Sequence, residues 1–207
     1  MNGIHEVEGS IPFGSTNDFN TLHSLAMADA NRERLKEILQ KKSLLRGDFT
    51  LTSGKKSTYY IDARLTTLDA EGVYLIGKIF LQEIKKDSSI NAVGGPTMGA
   101  DPIVGSVLAL SHEAGYPLVG FLVRKQEKGH GTAKLIEGNL KPGDKVVMIE
   151  DVVTTGGSVI KAINAVRDSG AEVSKLLVIV DREEGAKSKF EEMGVKFFSI
   201  FQISELL

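Results

Sequence analysis

The chain has 207 residues, of which 42% are apolar, with 25 basic and 27 acidic side chains and no cysteine. This length and apolar content allow a sizeable core, which excludes collagen-like, coiled-coil and mainly disordered proteins. The formal net charge of −2 argues against a nucleic-acid partner, and a cysteine-free chain cannot use disulfides, cysteine-ligated zinc or thiol catalysis.

The amino-terminal residues 1–20 are rich in glycine, serine and asparagine and have no sustained apolar period, which predicts an irregular N-terminal extension. Residues 1–10 contain two glutamates and neither the basic nor the apolar segment of a signal peptide. No later stretch approaches about 18 consecutive apolar residues. We therefore expect a soluble, cytoplasmic protein with no membrane partner.

Residues 30–65 predict a small hood made of a helix and a strand. From residue 30, apolar residues recur at helical spacing, namely Leu35, Ile38, Leu39 and Leu44 or Leu45. A polar turn at 52–57 then leads into a short strand at 59–62, and a second amphipathic helix is predicted over 70–86.

After residue 88, short runs rich in valine and isoleucine alternate with helical segments. Buried parallel strands have this composition, so we expect an α/β fold with a doubly wound parallel sheet, in a single domain over residues 21–207. Ligands bind such sheets beyond the carboxyl ends of the strands. The predicted strands cover 90–94, 117–123, 145–149 and 173–180, with an edge strand at 195–201, and the predicted helices cover 100–114, 157–169 and 183–193.

Glu150 and Asp151 directly follow the strand predicted at 145–149, and the loop Thr-Thr-Gly-Gly-Ser follows at 154–158. Each ionised carboxylate can accept a hydrogen bond from a hydroxyl, so the pair suits a vicinal diol such as ribose O2 and O3. The loop glycines permit a tight turn, while its hydroxyls and the N–H groups of the next helix can donate to a phosphate. The segment predicts a ribose-phosphate site.

A strand-to-helix turn capped by Ser158 would also produce a glycine-rich loop of this kind. The adjacent acidic pair favours ligand binding over that structural interpretation. Neither a Walker loop nor a glycine-rich dinucleotide fingerprint is present, which argues against nucleoside triphosphates and dinucleotides.

The segment 124–131 combines three cations and a histidine with two glycines. A charged run is usually a solvated face, but a flexible positive loop can also fold over a polyanion. The four side chains are Arg124, Lys125, Lys128 and His130.

Residues 146–158 resemble the phosphoribosyl-diphosphate (PRPP) binding motif of type I phosphoribosyltransferases. Four other segments resemble orotate phosphoribosyltransferases in the family's order: residues 49–62, 94–102, 124–131 and 181–185. The resemblance implies the type I phosphoribosyltransferase fold. It also implies transfer of 5-phosphoribosyl from PRPP to N1 of orotate, which yields orotidine 5'-monophosphate and pyrophosphate.

The resemblance implies a role for each motif. The catalytic loop would neutralise pyrophosphate with Arg124, Lys125, Lys128 and His130. PRPP would also be bound by Glu150, Asp151, Val152, Val153, Thr154, Thr155, Gly156, Gly157 and Ser158. Orotate would be bound by Thr154, Arg182, Tyr60 and Ile61. Considered alone, Arg182 would instead be expected to form a surface ion pair with Glu183 or Glu184.

The resemblance also implies Mg²⁺ as cofactor, held mainly by PRPP oxygens and water, so that no dedicated protein metal cluster is expected. It implies a homodimer in which the positive loop reaches the neighbouring active site.

One branch of the family carries lysines where Thr52 and Gly99 stand here, both in contact with PRPP or the pyrimidine. Lys55, Lys56 or backbone amides would then supply part of that positive charge. Two alternatives remain open. A purine or uracil phosphoribosyltransferase would need no arginine beside the base, and a PRPP-sensing nucleic-acid regulator would need a basic surface.

Overall fold

The computed structural model describes residues 16–50, 54, 56–125 and 135–207. Its helices are α1 (Thr16–Ile38), α2 (Arg64–Thr67), α3 (Ala70–Ile84), α4 (Asp101–Glu113), α5 (Gly157–Asp168), α6 (Ala186–Glu192) and α7 (Ile203–Leu206). Within these ranges, no helix combines the length and apolarity needed to cross a membrane.

Six strands form the central sheet: β3 (Ala92–Pro96), β4 (Val119–Val123), β5 (Ile136–Gly138), β6 (Lys145–Val153), β7 (Glu172–Asp181) and β8 (Lys196–Gln202). Their order across the sheet is β5-β4-β3-β6-β7-β8. All neighbouring pairs are parallel except β4 and β5. The sheet confirms the predicted α/β fold.

Helices cover both faces of the sheet because successive side chains of a strand point to opposite faces. Along β6, Val147 and Ile149 belong to one core with the buried residues of α3 and α4. Val146 and Met148 belong to a second core with those of α5 and α6. Burial on both faces explains why these strands form nearly continuous apolar runs.

The hood comprises α1, a π-helical turn at Leu39–Ser43, and an antiparallel hairpin of β1 (Leu44–Thr50) and β2 (Lys56–Ile61). Residues 16–20 lie in α1, so the prediction that they are irregular is wrong, and residues 1–15 lie outside the described ranges. Leu44 and Leu45 begin β1 instead of ending a helix, because they pair with Ile61 and Tyr60.

Strand β6 ends at Val153, beyond the end predicted at 149. Glu150 and Asp151 therefore lie within the strand, where Glu150 is in register with Val178 of β7, and not after its tip. The short antiparallel strand β5 was not predicted, and α6 begins at Ala186 instead of residue 183.

Candidate active site

A cleft of about 870 Å³ opens at the carboxyl ends of β3, β4 and β6, beneath part of the hood. Its walls include residues 60–64 at the end of the hood hairpin, the loop 96–99, the two cations that follow β4, residues 150–152 of β6 and the first turns of α5. The fold predicts a ligand site at this edge of the sheet. The structure thus brings four of the five motifs to one cavity.

The acidic pair Glu150 and Asp151 lies on the cleft wall, with only 8% of Glu150 exposed. Burial, then the negative charge of Asp151 and a hydrogen bond with it, raises the pKa of Glu150 to about 9, and the charge of Lys125 opposes this shift. At neutral pH the Glu150 carboxyl is therefore protonated. The sequence-based expectation of two ionised carboxylates is corrected accordingly.

Backbone N–H groups also bind the pair. The amide of Asp151 donates to Glu150 Oε1 at 3.2 Å, and the amide of Val152 donates to Asp151 Oδ1 at 2.7 Å. Val152 lines the cleft, whereas the Val153 side chain is buried in the core with α5. Val153 can therefore offer a ligand only its main chain.

The predicted phosphate loop connects β6 to α5. Gly156 has a φ of 80°, and a Cβ there would lie 2.7 Å from Phe190 Cζ, so both conformation and packing require glycine. Gly156 is also the N-cap of α5 and supplies no side-chain hydrogen bond, which leaves the first N–H groups of α5 available to an anion. The alternative in which Ser158 caps the helix is therefore wrong.

Members of this loop differ in their access to the cleft. Ser158 lines it, as does Lys161 one turn further along α5, while residues 154–157 do not. The carbonyl of Thr155 accepts a hydrogen bond from Lys189 Nζ at 3.1 Å, which ties the loop to α6.

Gly99 faces the acidic pair. A Cβ at this position would lie 2.7 Å from both Asp151 Oδ1 and Glu150 Oε1. The main chain of the 96–99 loop can therefore approach the carboxylates closely, but a side chain at position 99 cannot be added unless they move.

Arg124 and Lys125 line the cleft directly after β4. The Arg124 amide donates to the carbonyl of Leu135 at 2.8 Å, and its Nη1 lies 3.6 Å from Glu137 Oε1. The predicted catalytic residues Lys128 and His130 lie outside the described residues.

Arg182 follows β7 and is placed beside the hood. Its side chain is 10% exposed, its guanidinium lies 5.5 Å from the centre of the Tyr59 ring, and its Nη2 is 3.3 Å from Glu184 Oε1. Nε is buried and has no hydrogen-bond partner among the described residues. The expected ion pair with Glu184 is present and joins a largely buried arginine to an exposed glutamate, and Arg182 does not line the cleft.

The structure places two of the four predicted orotate-binding residues on the cleft wall. Tyr60 and Ile61 line the cleft, while Thr154 and Arg182 do not. Of the lysines considered as substitutes for missing charge, Lys56 donates to Thr50 Oγ1 at 3.0 Å on the hairpin and does not line the cleft. Lys55 lies outside the described residues.

Sequence reasoning missed Arg64 and Asp62, which both line the cleft. Arg64 Nε and Nη2 donate to the two carboxylate oxygens of Asp62 at 2.8 and 2.9 Å. The only sign of this pair in the sequence is an acidic and a basic residue two positions apart. Such a spacing is not a recognised binding motif, so it did not indicate a site.

In the parts of the chain that the structure describes, no group of three or more acidic or histidine side chains is arranged to hold a metal ion. Among the described residues, three carboxylates line the cleft, and Arg64 binds both oxygens of Asp62. Glu150 and Asp151 are left as the pair that could hold a divalent cation together with oxygens of a substrate.

Comparisons with known proteins agree with this architecture. The Phosphoribosyl transferase domain family matches residues 67–200. The chain is 46% identical over 179 residues to an orotate phosphoribosyltransferase from Aquifex aeolicus, covering 85% of this chain and 97% of that protein. It is 43% identical over 182 residues to one from Rhodopseudomonas palustris, covering 86% and 97%.

A crystal structure of Mycobacterium tuberculosis orotate phosphoribosyltransferase in complex with Fe(III) dicitrate has a TM-score of 0.75 at 38% identity, covering 85% of this chain and 98% of that one. A structure of the same enzyme in complex with PRPP has a TM-score of 0.71 at 36% identity, covering 85% and 98%. The fold, the cleft and these relatives together show that the chain belongs to the orotate phosphoribosyltransferase family.

Proposed function

We propose that this cleft transfers the 5-phosphoribosyl group from PRPP to N1 of orotate, which supplies orotidine 5'-monophosphate to pyrimidine biosynthesis. One observation carries the assignment to the cleft: the acidic pair, the start of α5 and the cations after β4 border a single cavity. The acidic pair can bind the ribose hydroxyls, the start of α5 can bind the phosphate, and the cations can bind the pyrophosphate.

The reaction requires charge placement more than a protein nucleophile. Its transition state resembles an oxocarbenium ion, with positive charge at the anomeric carbon and negative charge on the departing pyrophosphate. Arg124 and Lys125, with Lys128 and His130 of the same loop, neutralise the pyrophosphate. Closure of that loop over the site keeps water from capturing the ribosyl group.

The remaining groups orient the sugar. Asp151 accepts hydrogen bonds from the ribose hydroxyls, and the proton on Glu150 lets that carboxyl donate as well as accept. The N–H groups at the start of α5 and the hydroxyls of residues 154–158 bind the 5'-phosphate. Lys161 adds a positive charge at this end of the cleft.

Orotate carries a carboxylate, so an arginine suits its recognition. The buried Nε of Arg182 has no partner among the described residues, which leaves a donor for that carboxylate. Tyr60 and Ile61 border the space for the pyrimidine. Thr154, in the phosphate loop behind the cleft wall, is proposed as a further orotate contact.

Mg²⁺ is proposed as the cofactor, with Glu150 and Asp151 as the protein groups near it. When bound, the ion offsets the charge of the pyrophosphate oxygens.

A homodimer with shared active sites is proposed as the working form. Large apolar side chains that are exposed on the described chain support an interface between two copies: Leu65, Leu68, Tyr74 and Met98. Leu68 and Tyr74 border one groove between α3 and α4. A cytoplasmic location is proposed because a cysteine-free chain suits a reducing compartment.

The test is the loss of orotate absorbance after addition of PRPP and Mg²⁺, with uracil, hypoxanthine and adenine assayed in parallel. We expect consumption of orotate alone. Arg182→Met should abolish use of orotate, whereas Arg167→Met, which removes an exposed arginine bonded to the carbonyl of Met193, should not. Consumption of another base, or of none, would show that the assignment is wrong.

A further inference from the structure

Arg64 is a cation of the cleft that none of the five motifs contains. It begins α2 directly after the hood hairpin, and its side chain lines the same cavity as the acidic pair. The hydrogen bonds that Arg64 donates to Asp62 are the main reason that the pKa of Arg64 is raised, and the negative charge of Asp151 makes a smaller contribution. Arg64 and Asp151 thus line one cavity.

The geometry of Arg64 leaves a donor edge for a ligand. Its Nε and Nη2 are bound to the carboxylate of Asp62, whereas Nη1 makes no hydrogen bond to a described residue. The side chain is 50% exposed, while that of Asp62 is 20% exposed. Asp62 thus holds the guanidinium in one orientation, while half of the Arg64 side chain remains exposed.

The 96–99 loop, which consists of Pro, Thr, Met and Gly, has no side chain that could bring a positive charge to the acidic pair. Gly99 is the residue of this loop that faces the acidic pair, and a Cβ there would already lie 2.7 Å from both carboxylates. A cation that approaches this part of the cleft must come from another wall. Among the described residues that line the cavity, Arg64 is the cation on the hood side, while Arg124 and Lys125 follow β4 and Lys161 lies on α5.

We propose that Arg64 binds the diphosphate group of PRPP, with Asp62 as its positioning residue. The proposal rests on the proposed function, because it takes the acidic pair as the site of the ribose hydroxyls. The diphosphate is attached to C1, the neighbour of the carbon that carries O2, so it lies beside that pair, in the cavity that Arg64 also lines. The carboxylate of orotate is matched by Arg182, which leaves the diphosphate as the anion for Arg64.

The test compares Arg64→Gln with Arg34→Gln. Arg34 is a suitable control because it is 51% exposed and binds both oxygens of Glu71 at 2.7 and 2.8 Å, but lies on α1 and does not line the cleft. Affinity for pyrophosphate with Mg²⁺ is measured by calorimetry, and KM is measured separately for PRPP and orotate. A lost charge-assisted hydrogen bond corresponds to about a tenfold to hundredfold loss.

We expect Arg64→Gln to weaken pyrophosphate binding by at least about tenfold and to raise KM for PRPP similarly, with KM for orotate within about twofold. Asp62→Asn should have a smaller effect in the same direction, and Arg34→Gln should have none. Unchanged pyrophosphate affinity in Arg64→Gln would overturn the proposal, as would a change confined to orotate. If Arg64→Gln fails to fold, Arg64→Lys keeps the charge and tests the lost fork geometry.

The two proposals can fail separately. A wild-type protein that does not consume orotate contradicts the proposed reaction. The calorimetric comparison of pyrophosphate binding still decides the role of Arg64 in that case.

Discussion

The proton on Glu150 couples folding to pH. In the unfolded chain this carboxyl ionises near its ordinary pKa of 4.5, whereas in the folded protein burial and Asp151 raise its pKa to about 9. Between these values the unfolded state binds fewer protons, so the free energy of unfolding falls as pH rises, by up to about 1.4 kcal/mol per pH unit. Because glutamine does not ionise, the Glu150→Gln variant should not lose this stability as pH rises.

We therefore expect the Tm of Glu150→Gln, relative to wild type, to increase steadily from pH 5 to pH 9 in thermal unfolding. Asp87→Asn is the control, because hydrogen bonds from Ser89 lower the pKa of Asp87 to about 2 and its contribution is lost only as pH falls through that value. Its Tm difference should stay constant over the same range. If the Tm difference between Glu150→Gln and wild type does not change with pH, Glu150 does not carry a proton in the folded protein at neutral pH.

Gly99 gives a second prediction at this scale. In Gly99→Ala the added methyl group would meet Asp151 Oδ1 and Glu150 Oε1 at 2.7 Å, so the carboxylates must shift away from their positions. We expect kcat/KM for PRPP to fall at least about tenfold, since misplacement near 1 Å can cost more than that. Steady-state assays at saturating orotate measure the effect.

Gly105→Ala is the matched control. It lies within α4, where an added Cβ meets no heavy atom within 4 Å. It should keep full activity and stabilise the protein by about 0.5–1 kcal/mol through helix propensity. Equal activity of the two variants would show that position 99 tolerates a side chain.

Residue-scale chemistry was only partly predictable from the sequence. Glu150 and Asp151 were found because they follow an apolar run, but the proton on Glu150 depends on burial that no local pattern encodes. Arg64 was missed because its place in the cleft arises only when the hood packs over the sheet.

At the scale of elements, strands that are buried on both faces were predictable because their apolar runs are local. Strand β1 was not, since Leu44 and Leu45 continue the helical spacing of Leu35 and Ile38. Pairing with Ile61 and its neighbours in β2, which lies further along the chain, decides their conformation. The end of β6 was misplaced for a related reason, because Glu150 is polar yet remains in register with β7.

Arg32 connects the hood to the end of the chain, which gives a prediction for these elements. Its Nε donates to the carbonyl of Ile200 at 3.2 Å, it pairs with Glu205, and its guanidinium lies 4.5 Å from the centre of the Phe201 ring. Arg32→Leu should lower the free energy of unfolding by about 1–2 kcal/mol, from the hydrogen bond to Ile200 and the cation–π contact, while the partly exposed pair with Glu205 adds little.

The same variant should speed amide exchange in β1 and β2, because the hood loses an attachment to the sheet. Arg34 lies on the same helix as Arg32, and Arg34→Leu loses only exposed ion pairs, with Glu37 and Glu71. It should change the free energy of unfolding by less than about 1 kcal/mol. Unchanged exchange in the hairpin of Arg32→Leu would mean that other contacts hold the hood.

The proposed dimer combines residues of two chains in each active site. The cleft presents Arg124 and Lys125 at its edge, and the rest of the positive loop continues through Lys128 and His130, outside the described residues. In the proposed dimer, Lys128 and His130 neutralise the pyrophosphate in the partner's cleft, so each site needs two copies.

Subunit mixing tests this arrangement. A Lys128→Ala subunit keeps its acidic pair, and a Glu150→Ala, Asp151→Ala subunit keeps its loop, so each homodimer should be inactive. If the loop crosses between subunits, each heterodimer has one complete site. Random exchange of equal amounts makes about half of the dimers heterodimers, and therefore restores about a quarter of wild-type activity. If the loop serves its own subunit, no heterodimer has a complete site and the mixture stays inactive, even when mass measurements show that exchange has occurred.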